Sequence, residues 1–98
     1  MILIVDDEKD ILSYLHHLLN GSQFSPVYTT TDYREALKIV LNHSIRICLI
    51  DIGITGINGI ALSKKMANIN PNLKIIFMSG FIGMYNEDVN NTEHFASI

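Results

Sequence analysis

The strongest constraint on the fold of this chain is a regular alternation of short apolar runs with amphipathic helical patterns. Residues 1–5, 45–50 and 73–78 form apolar runs rich in β-branched side chains, typical of strands that are covered on both faces. A weaker strand is predicted around residues 26–28, where Pro26 suits the beginning of a strand at the sheet edge. Residues 95–98 are predicted to begin a fifth strand.

Three helical patterns separate these strands. The first is predicted from apolar residues that share one helix face, namely Ile11, Leu12, Leu15, Leu18 and Leu19. The second begins at Asp32, with Glu35 three residues later as in a capping box, and the third covers residues 60–69. Strands and helices that alternate with short connections predict an α/β fold, a doubly wound parallel sheet with helices on both faces.

Carboxylates follow two of the predicted strands. Asp6, Asp7 and Glu8 come directly after the first strand, and Asp51 ends the third. The carboxyl ends of parallel strands meet at one edge of the sheet, where α/β proteins bind ligands. Each close pair of anions costs roughly 4 kcal/mol at an effective dielectric constant near 20, so an isolated cluster would protonate or separate. A divalent cation removes this cost.

The fourth strand adds a hydroxyl group at the same end of the sheet. Ser79 follows the apolar run of residues 73–78. Carboxylate oxygens suit magnesium, one carboxylate is free to act as a nucleophile, and a hydroxyl can hold a phosphoryl oxygen. The sequence therefore predicts a site for magnesium and a phosphoryl group, with the backbone carbonyl of Gly53 able to approach the metal.

These motifs together resemble the receiver domain of bacterial two-component response regulators. The resemblance rests on the acidic pair Asp6 and Asp7 after the first strand, on Asp51 after the third with a glycine eight residues later, and on Ser79 after the fourth. It covers essentially the whole chain, and it implies a flavodoxin-like sheet with the strand order 2-1-3-4-5.

The resemblance also implies a role for each site residue. Asp51 would accept the phosphoryl group from a sensor histidine kinase or a phosphotransfer protein. Asp7 would bind Mg²⁺ directly, Asp6 directly or through water, and Gly53 through its backbone carbonyl. Ser79 would contact the phosphoryl group and turn inward when it arrives. A domain of this kind is a signalling switch of the bacterial cytoplasm rather than an enzyme, although it can accelerate its own phosphorylation and dephosphorylation.

The chain departs from the family pattern at two places. Thr55 stands where the family commonly has proline, and this difference is expected to loosen the loop after Asp51 without affecting the chemistry. The lysine of the fifth strand has no counterpart among the lysines at positions 9, 64, 65 and 74. We expect it to fall beyond Ile98, so that residues 1–98 are interpreted as one receiver domain that is truncated at or near its fifth strand.

Composition excludes several other classes of protein. The net charge of −3 argues against nonspecific binding of nucleic acid, so that a DNA-directed output would need a covalently linked domain outside this chain. No apolar run reaches transmembrane length, and the N-terminus lacks the basic segment of a signal peptide. The single cysteine, Cys48, lies inside a predicted buried strand and is interpreted as a core residue of a protein from a reducing compartment.

Two alternatives stay open at this point. A degenerate receiver would bind partner proteins without being phosphorylated, and the missing lysine supports it. An aspartyl-phosphate phosphatase would need an acid two residues after its nucleophile, where this chain has Gly53.

The glycines at 53, 56 and 59 do not have the dinucleotide-binding spacing and are interpreted as turn residues. The histidines at 16, 17, 43 and 94 are expected on the surface rather than at a metal.

Overall fold

The structure is a computed structural model that describes residues 1–78 and the backbone of residues 95–97. Its elements alternate along the chain as β1 (Ile2–Val5), α1 (Lys9–Leu19), β2 (Val27–Thr30), α2 (Tyr33–Asn42), β3 (Ile47–Asp51), α3 (Gly59–Ile69), β4 (Lys74–Met78) and β5 (Phe95–Ser97). Ser79 and His94 lie outside the described residues.

The five strands form one parallel sheet in the order β2-β1-β3-β4-β5. This confirms the predicted doubly wound α/β architecture and its strand order. Strand β2 lies at the edge of the sheet, and its ladder with β1 extends through Thr30, two residues further than the sequence pattern indicated. The backbone of Thr29 and Thr30 therefore pairs with β1.

The hydrophobic core lies on the face of the sheet that is covered by α2 and α3. Successive strand residues point to opposite faces of the sheet. The register aligns Leu3 with Cys48, and Cys48 with Ile75, on the face that α2 and α3 cover. The side chains of this layer are buried, and they come from the strands, from both helices and from the loop after β3: Leu3, Val5, Ala36, Val40, Cys48, Ile50, Ile52, Ile60, Leu62, Met66, Ile75 and Phe77. The prediction that Cys48 is a core residue is confirmed.

The opposite face of the sheet carries α1 and is less completely covered. Ile2, Ile4 and Leu12 are buried there, whereas Ile47, Leu49 and Ile76 are only partly buried. Helix α1 contains all the apolar residues that predicted it, but Leu12 is its only buried residue, and the side chain of Leu18 is 60% exposed. Among the described helices, the longest of which has 11 residues, none has the length and apolar character needed to cross a membrane.

Helix α3 begins against the end of β3 because Gly59 has no side chain. Asn58 caps the helix by accepting the N–H of Ile60 at 2.7 Å, and the N–H of Gly59 donates to the carbonyl oxygen of Ile52 at 2.9 Å. A Cβ atom at position 59 would lie 2.7 Å from the Cα of Ile52 and 2.8 Å from the carbonyl oxygen of Asp51. Gly59 is therefore required for this close approach, which fixes the loop between Asp51 and α3.

We predict that Gly59→Ala lowers the free energy of unfolding by about 1–3 kcal/mol, because backbone atoms must shift to admit the new methyl group. Urea denaturation followed by circular dichroism measures this loss. The matched control is Gly53→Ala, whose Cβ atom would meet its nearest neighbour, the Asp51 side chain, only at 3.9 Å. If both variants unfolded at the same urea concentration as the wild type, the close approach at Gly59 would be contradicted.

We predict that Cys48 does not react with a maleimide in the folded protein at pH 8. Its side chain is fully buried, its sulfur lies 3.8 Å from the sulfur of Met66, and burial raises the pKa of the thiol above its ordinary value. Intact-mass spectrometry in native buffer and in urea measures the modification. Stoichiometric labelling in native buffer at the rate seen in urea would contradict the buried position.

Candidate functional site

The pairing of β1 with β3 brings two of the predicted site residues to the same end of the sheet. Val5 aligns with Ile50 in the parallel ladder, and Asp6 and Asp51 are the next residues of their strands. Asp51 in turn aligns with Met78 at the end of β4. The structure therefore places the carboxylates of β1 and β3 beside each other, as expected from strands that end together.

Asp6 is the most buried of these carboxylates, with only 7% of its surface exposed. Its Oδ1 atom accepts the N–H of Glu8 at 2.8 Å. Burial raises the pKa of Asp6, and the negative charges of Asp51, Glu8 and Asp7 raise it further, while the hydrogen bond from Glu8 partly offsets these effects. The described residues around the site therefore do not neutralise the negative charge of its carboxylates.

Asp51 is half-buried and presents one unoccupied carboxylate oxygen. The N–H of Gly53 donates to its Oδ1 at 3.2 Å, and no described residue donates a hydrogen bond to Oδ2. Gly53 itself is exposed, and a side chain at this position would meet almost nothing. The carboxylate of Asp51 is therefore partly accessible from the solvent.

Asp7 makes contacts that the sequence did not predict. Its Oδ1 accepts the N–H of Thr55 at 3.0 Å, and its Oδ2 accepts the hydroxyl group of Thr55 at 2.9 Å. The expectation that Thr55 loosens the loop after Asp51 was wrong, because both donors of this residue fasten the loop to the β1–α1 connection. The two residues are 48 positions apart, so only the pairing of β1 with β3 reveals the contact.

The candidate metal ligands are all oxygen atoms, which is the donor type that Mg²⁺ prefers. They comprise the carboxylates of Asp6, Asp7 and Asp51 and the exposed backbone carbonyl of Gly53. The uncompensated negative charge at Asp6 also favours a cation. In the part of the chain that the structure describes, no three acidic or histidine side chains converge as a ready metal cluster. The magnesium site stays a prediction.

The remaining polar candidates lie away from the carboxylates. His16, His17 and His43 are exposed, as predicted, and the ring of His43 stacks on Tyr28 at a centroid distance of 4.8 Å. An open cleft of ≈ 550 Å³ lies between α1 and β2, and its described lining contains none of the three site aspartates.

Comparison with known proteins agrees with this arrangement. The profile of the response regulator receiver domain family matches residues 2–92. Sporulation initiation phosphotransferase F of Bacillus subtilis is 31% identical over 80 residues, which are 82% of this chain and 64% of that protein. Response regulator SaeR of Staphylococcus epidermidis is 35% identical over 78 residues, which are 80% of this chain and 33% of that protein. The matched segment thus spans about one to two thirds of the length of these relatives.

Solved structures share the fold over nearly the whole chain. One of them is a response regulator protein from Burkholderia pseudomallei, described with a phosphorylated aspartic acid, a calcium ion and citrate. It superposes with a TM-score of 0.80 and 19% sequence identity, over 98% of this chain and 57% of that one. At this identity the likeness establishes the fold.

We predict that Asp6→Asn raises the melting temperature of the metal-free protein at neutral pH. Because the pKa of Asp6 is raised in the folded state, keeping this carboxylate ionised at neutral pH costs folding free energy. The amide of asparagine still accepts the N–H of Glu8. Differential scanning calorimetry in a chelating buffer measures the change.

Asp10→Asn is the matched control for Asp6→Asn. Asp10 is exposed in the first turn of α1, where a negative charge is favourable, so that its removal is expected to lower the melting temperature slightly. If Asp6→Asn melted at a lower temperature than the wild type in chelating buffer, the conclusion that the ionised Asp6 destabilises the folded protein would be contradicted.

Proposed function

The chain belongs to the response regulator receiver domain family, and we propose from this premise that Asp51 accepts a phosphoryl group from a histidine kinase or a phosphotransfer protein. A receiver is a signalling domain, and its output is a changed surface. We propose that residues 1–98 act as one such domain, in the bacterial cytoplasm where the phosphoryl donors of this family act.

The single observation that carries the proposal is the position of Asp51. This carboxylate ends β3 beside Asp6, is half-buried, and has an Oδ2 atom to which no described residue donates. An ionised oxygen of Asp51 attacks the phosphorus atom, the phosphorus–nitrogen bond of the donor phosphohistidine breaks, and an aspartyl phosphate forms while the leaving imidazole takes up a proton from solvent. The N–H of Gly53 holds the other oxygen and orients the carboxylate during this transfer.

Asp6, Asp7, Asp51 and the carbonyl of Gly53 are the groups that would hold Mg²⁺. When bound, this cation neutralises the charge of the incoming phosphoryl oxygens, which is the main requirement of phosphoryl transfer. The raised pKa of Asp6 is consistent with the assignment, since it reflects first the burial of this carboxylate and then the negative charges of its neighbours. The fold accommodates a phosphorylated aspartate and a divalent cation, because a response regulator of the same fold is described with a phosphorylated aspartic acid and a calcium ion.

We propose that Ser79 contacts the transferred phosphoryl group. It follows Met78, which aligns with Asp51 across the β3–β4 ladder, and its own placement lies outside the described residues. The position of Gly53 argues against steady phosphatase turnover, because an acid two residues after the nucleophile would be needed to protonate a leaving group. The chain is therefore not expected to turn over phosphate esters through an aspartyl phosphate.

For the output and the partners of this domain, we propose only the general type of protein. The relatives include the response regulator SaeR, of which the matched segment covers only 33%. We therefore propose that an output domain, covalently linked to this domain, carries the signal onward. The net charge of −3 gives this domain itself no general affinity for nucleic acid.

We predict that acetyl phosphate with Mg²⁺ adds one phosphoryl group to the wild-type protein and none to Asp51→Asn. Intact-mass spectrometry with and without Mg²⁺ measures the adduct, which is expected to be stable in acid and labile in base, as an acyl phosphate is. Asp10→Asn removes an exposed acid away from the site and is expected to be phosphorylated like the wild type.

Two outcomes would contradict this proposal. An adduct that persists in Asp51→Asn would place the phosphoryl group on another residue. A wild-type protein that takes up no phosphoryl group from acetyl phosphate or from a phosphorylated histidine donor would favour a receiver that binds its partners without phosphorylation.

A further inference from the structure

We propose that Thr55 holds Asp7 in a metal-free position and thereby weakens the affinity of the site for Mg²⁺. The inference rests on the proposed function, since it concerns a ligand of the proposed metal site. It assigns a role to a residue that lies on the loop between β3 and α3 and that makes no contact with Asp51.

The first observation is that Thr55 uses two donors against one carboxylate. Its N–H reaches Oδ1 of Asp7 at 3.0 Å and its hydroxyl group reaches Oδ2 at 2.9 Å, so both oxygens of Asp7 are occupied from the same side. Hydrogen bonds to an ionised carboxylate are stronger than those between neutral groups, and two parallel bonds also fix its orientation. Asp7 is therefore held toward the β3–α3 loop.

The second observation is that the site aspartates do not converge on one point. The β1–β3 register places Asp6 beside Asp51, and Asp7 follows Asp6 directly, yet among residues 1–78 no three such side chains form a metal cluster. Mg²⁺ requires nearly ideal octahedral geometry with short bonds to oxygen. For Asp7 to join Asp6 and Asp51 around one cation, its carboxylate must turn away from the β3–α3 loop, and this turn separates it from both the N–H and the hydroxyl group of Thr55.

The two interactions therefore compete for one side chain. Because the hydroxyl bond to Asp7 is exposed to solvent, we assign it the net value of an ordinary hydrogen bond, which changes an equilibrium constant by about threefold to tenfold. Without the hydroxyl bond, the metal-free state loses part of its stabilisation, whereas the metal-bound state loses little. The competition also links the cation to the loop, because a bound cation at Asp7 frees Thr55 and the segment that leads to α3.

The test measures the binding of MgCl₂ alone by isothermal titration calorimetry in the wild type and in Thr55→Val. Valine has the shape of threonine, keeps the N–H and lacks the hydroxyl, and Thr55 is exposed, so that the fold is unaffected. We expect the dissociation constant for Mg²⁺ to fall by about threefold to tenfold in Thr55→Val. Thr55→Ser keeps both donors and is expected to match the wild type.

Thr31→Val controls for the added methyl group. Thr31 is an exposed threonine near the same end of the sheet that bonds no carboxylate among the described residues, and its substitution should leave the dissociation constant unchanged. A second readout is the hydrogen exchange of the Thr55 amide, measured by NMR. It is expected to be slow without Mg²⁺ and severalfold faster at saturating Mg²⁺.

The outcomes separate this inference from the proposed function. Mg²⁺ binding by the wild type with equal or weaker binding by Thr55→Val would overturn the competition and leave the phosphoacceptor assignment standing. A Thr55 amide that stays equally protected when Mg²⁺ binds would overturn it as well. If neither protein binds Mg²⁺, both the metal site and the competition are overturned, whereas binding by Thr55→Val alone would support the competition strongly.

Discussion

The chemistry of this domain depends on one backbone ladder, the parallel pairing of β1 with β3. Because Val5 aligns with Ile50, the residues that follow each strand, Asp6 and Asp51, lie beside each other. A shift of one residue in this register would turn the apolar side chains of one strand to the wrong face of the sheet. The position of the carboxylates is therefore specified by the hydrophobic core, which fixes the register through Leu3, Val5 and their partners.

Charge repulsion is the cost of this arrangement, and backbone donors reduce it. Asp6 accepts the N–H of Glu8 and Asp51 accepts the N–H of Gly53, each two residues further along the chain, whereas Asp7 accepts the N–H of Thr55 from another loop. Each site aspartate thus accepts one backbone N–H, and no basic side chain among the described residues bonds to any of the three. The raised pKa of Asp6 shows that these donors do not balance the burial and the neighbouring charges. The Mg²⁺ of the proposed function would supply the positive charge that these residues lack.

The sequence predicted the architecture because each element has a local signal. Apolar runs marked the strands, the periodicity marked the helices, and the strand order followed from the family that the acidic motifs resemble. Two features depended on tertiary contacts and were missed. The close approach at Gly59 has no local signature beyond the glycine itself, and the bonds between Thr55 and Asp7 join residues that are far apart in sequence. The apolar pattern of α1 also overstated burial, since Leu18 is largely exposed.

The order of the strands in the sheet has a consequence for how the protein folds. Strand β1 lies between β2 and β3, and its ladder with β3 joins Ile2 to Ile47, residues 45 positions apart. Contacts this distant in sequence form slowly, because a long loop must close before they stabilise the chain. During synthesis, residues 6–51 must all leave the ribosome before the two halves of the carboxylate site can meet. A nascent chain that has not yet released Asp51 therefore lacks the paired carboxylates of the proposed site.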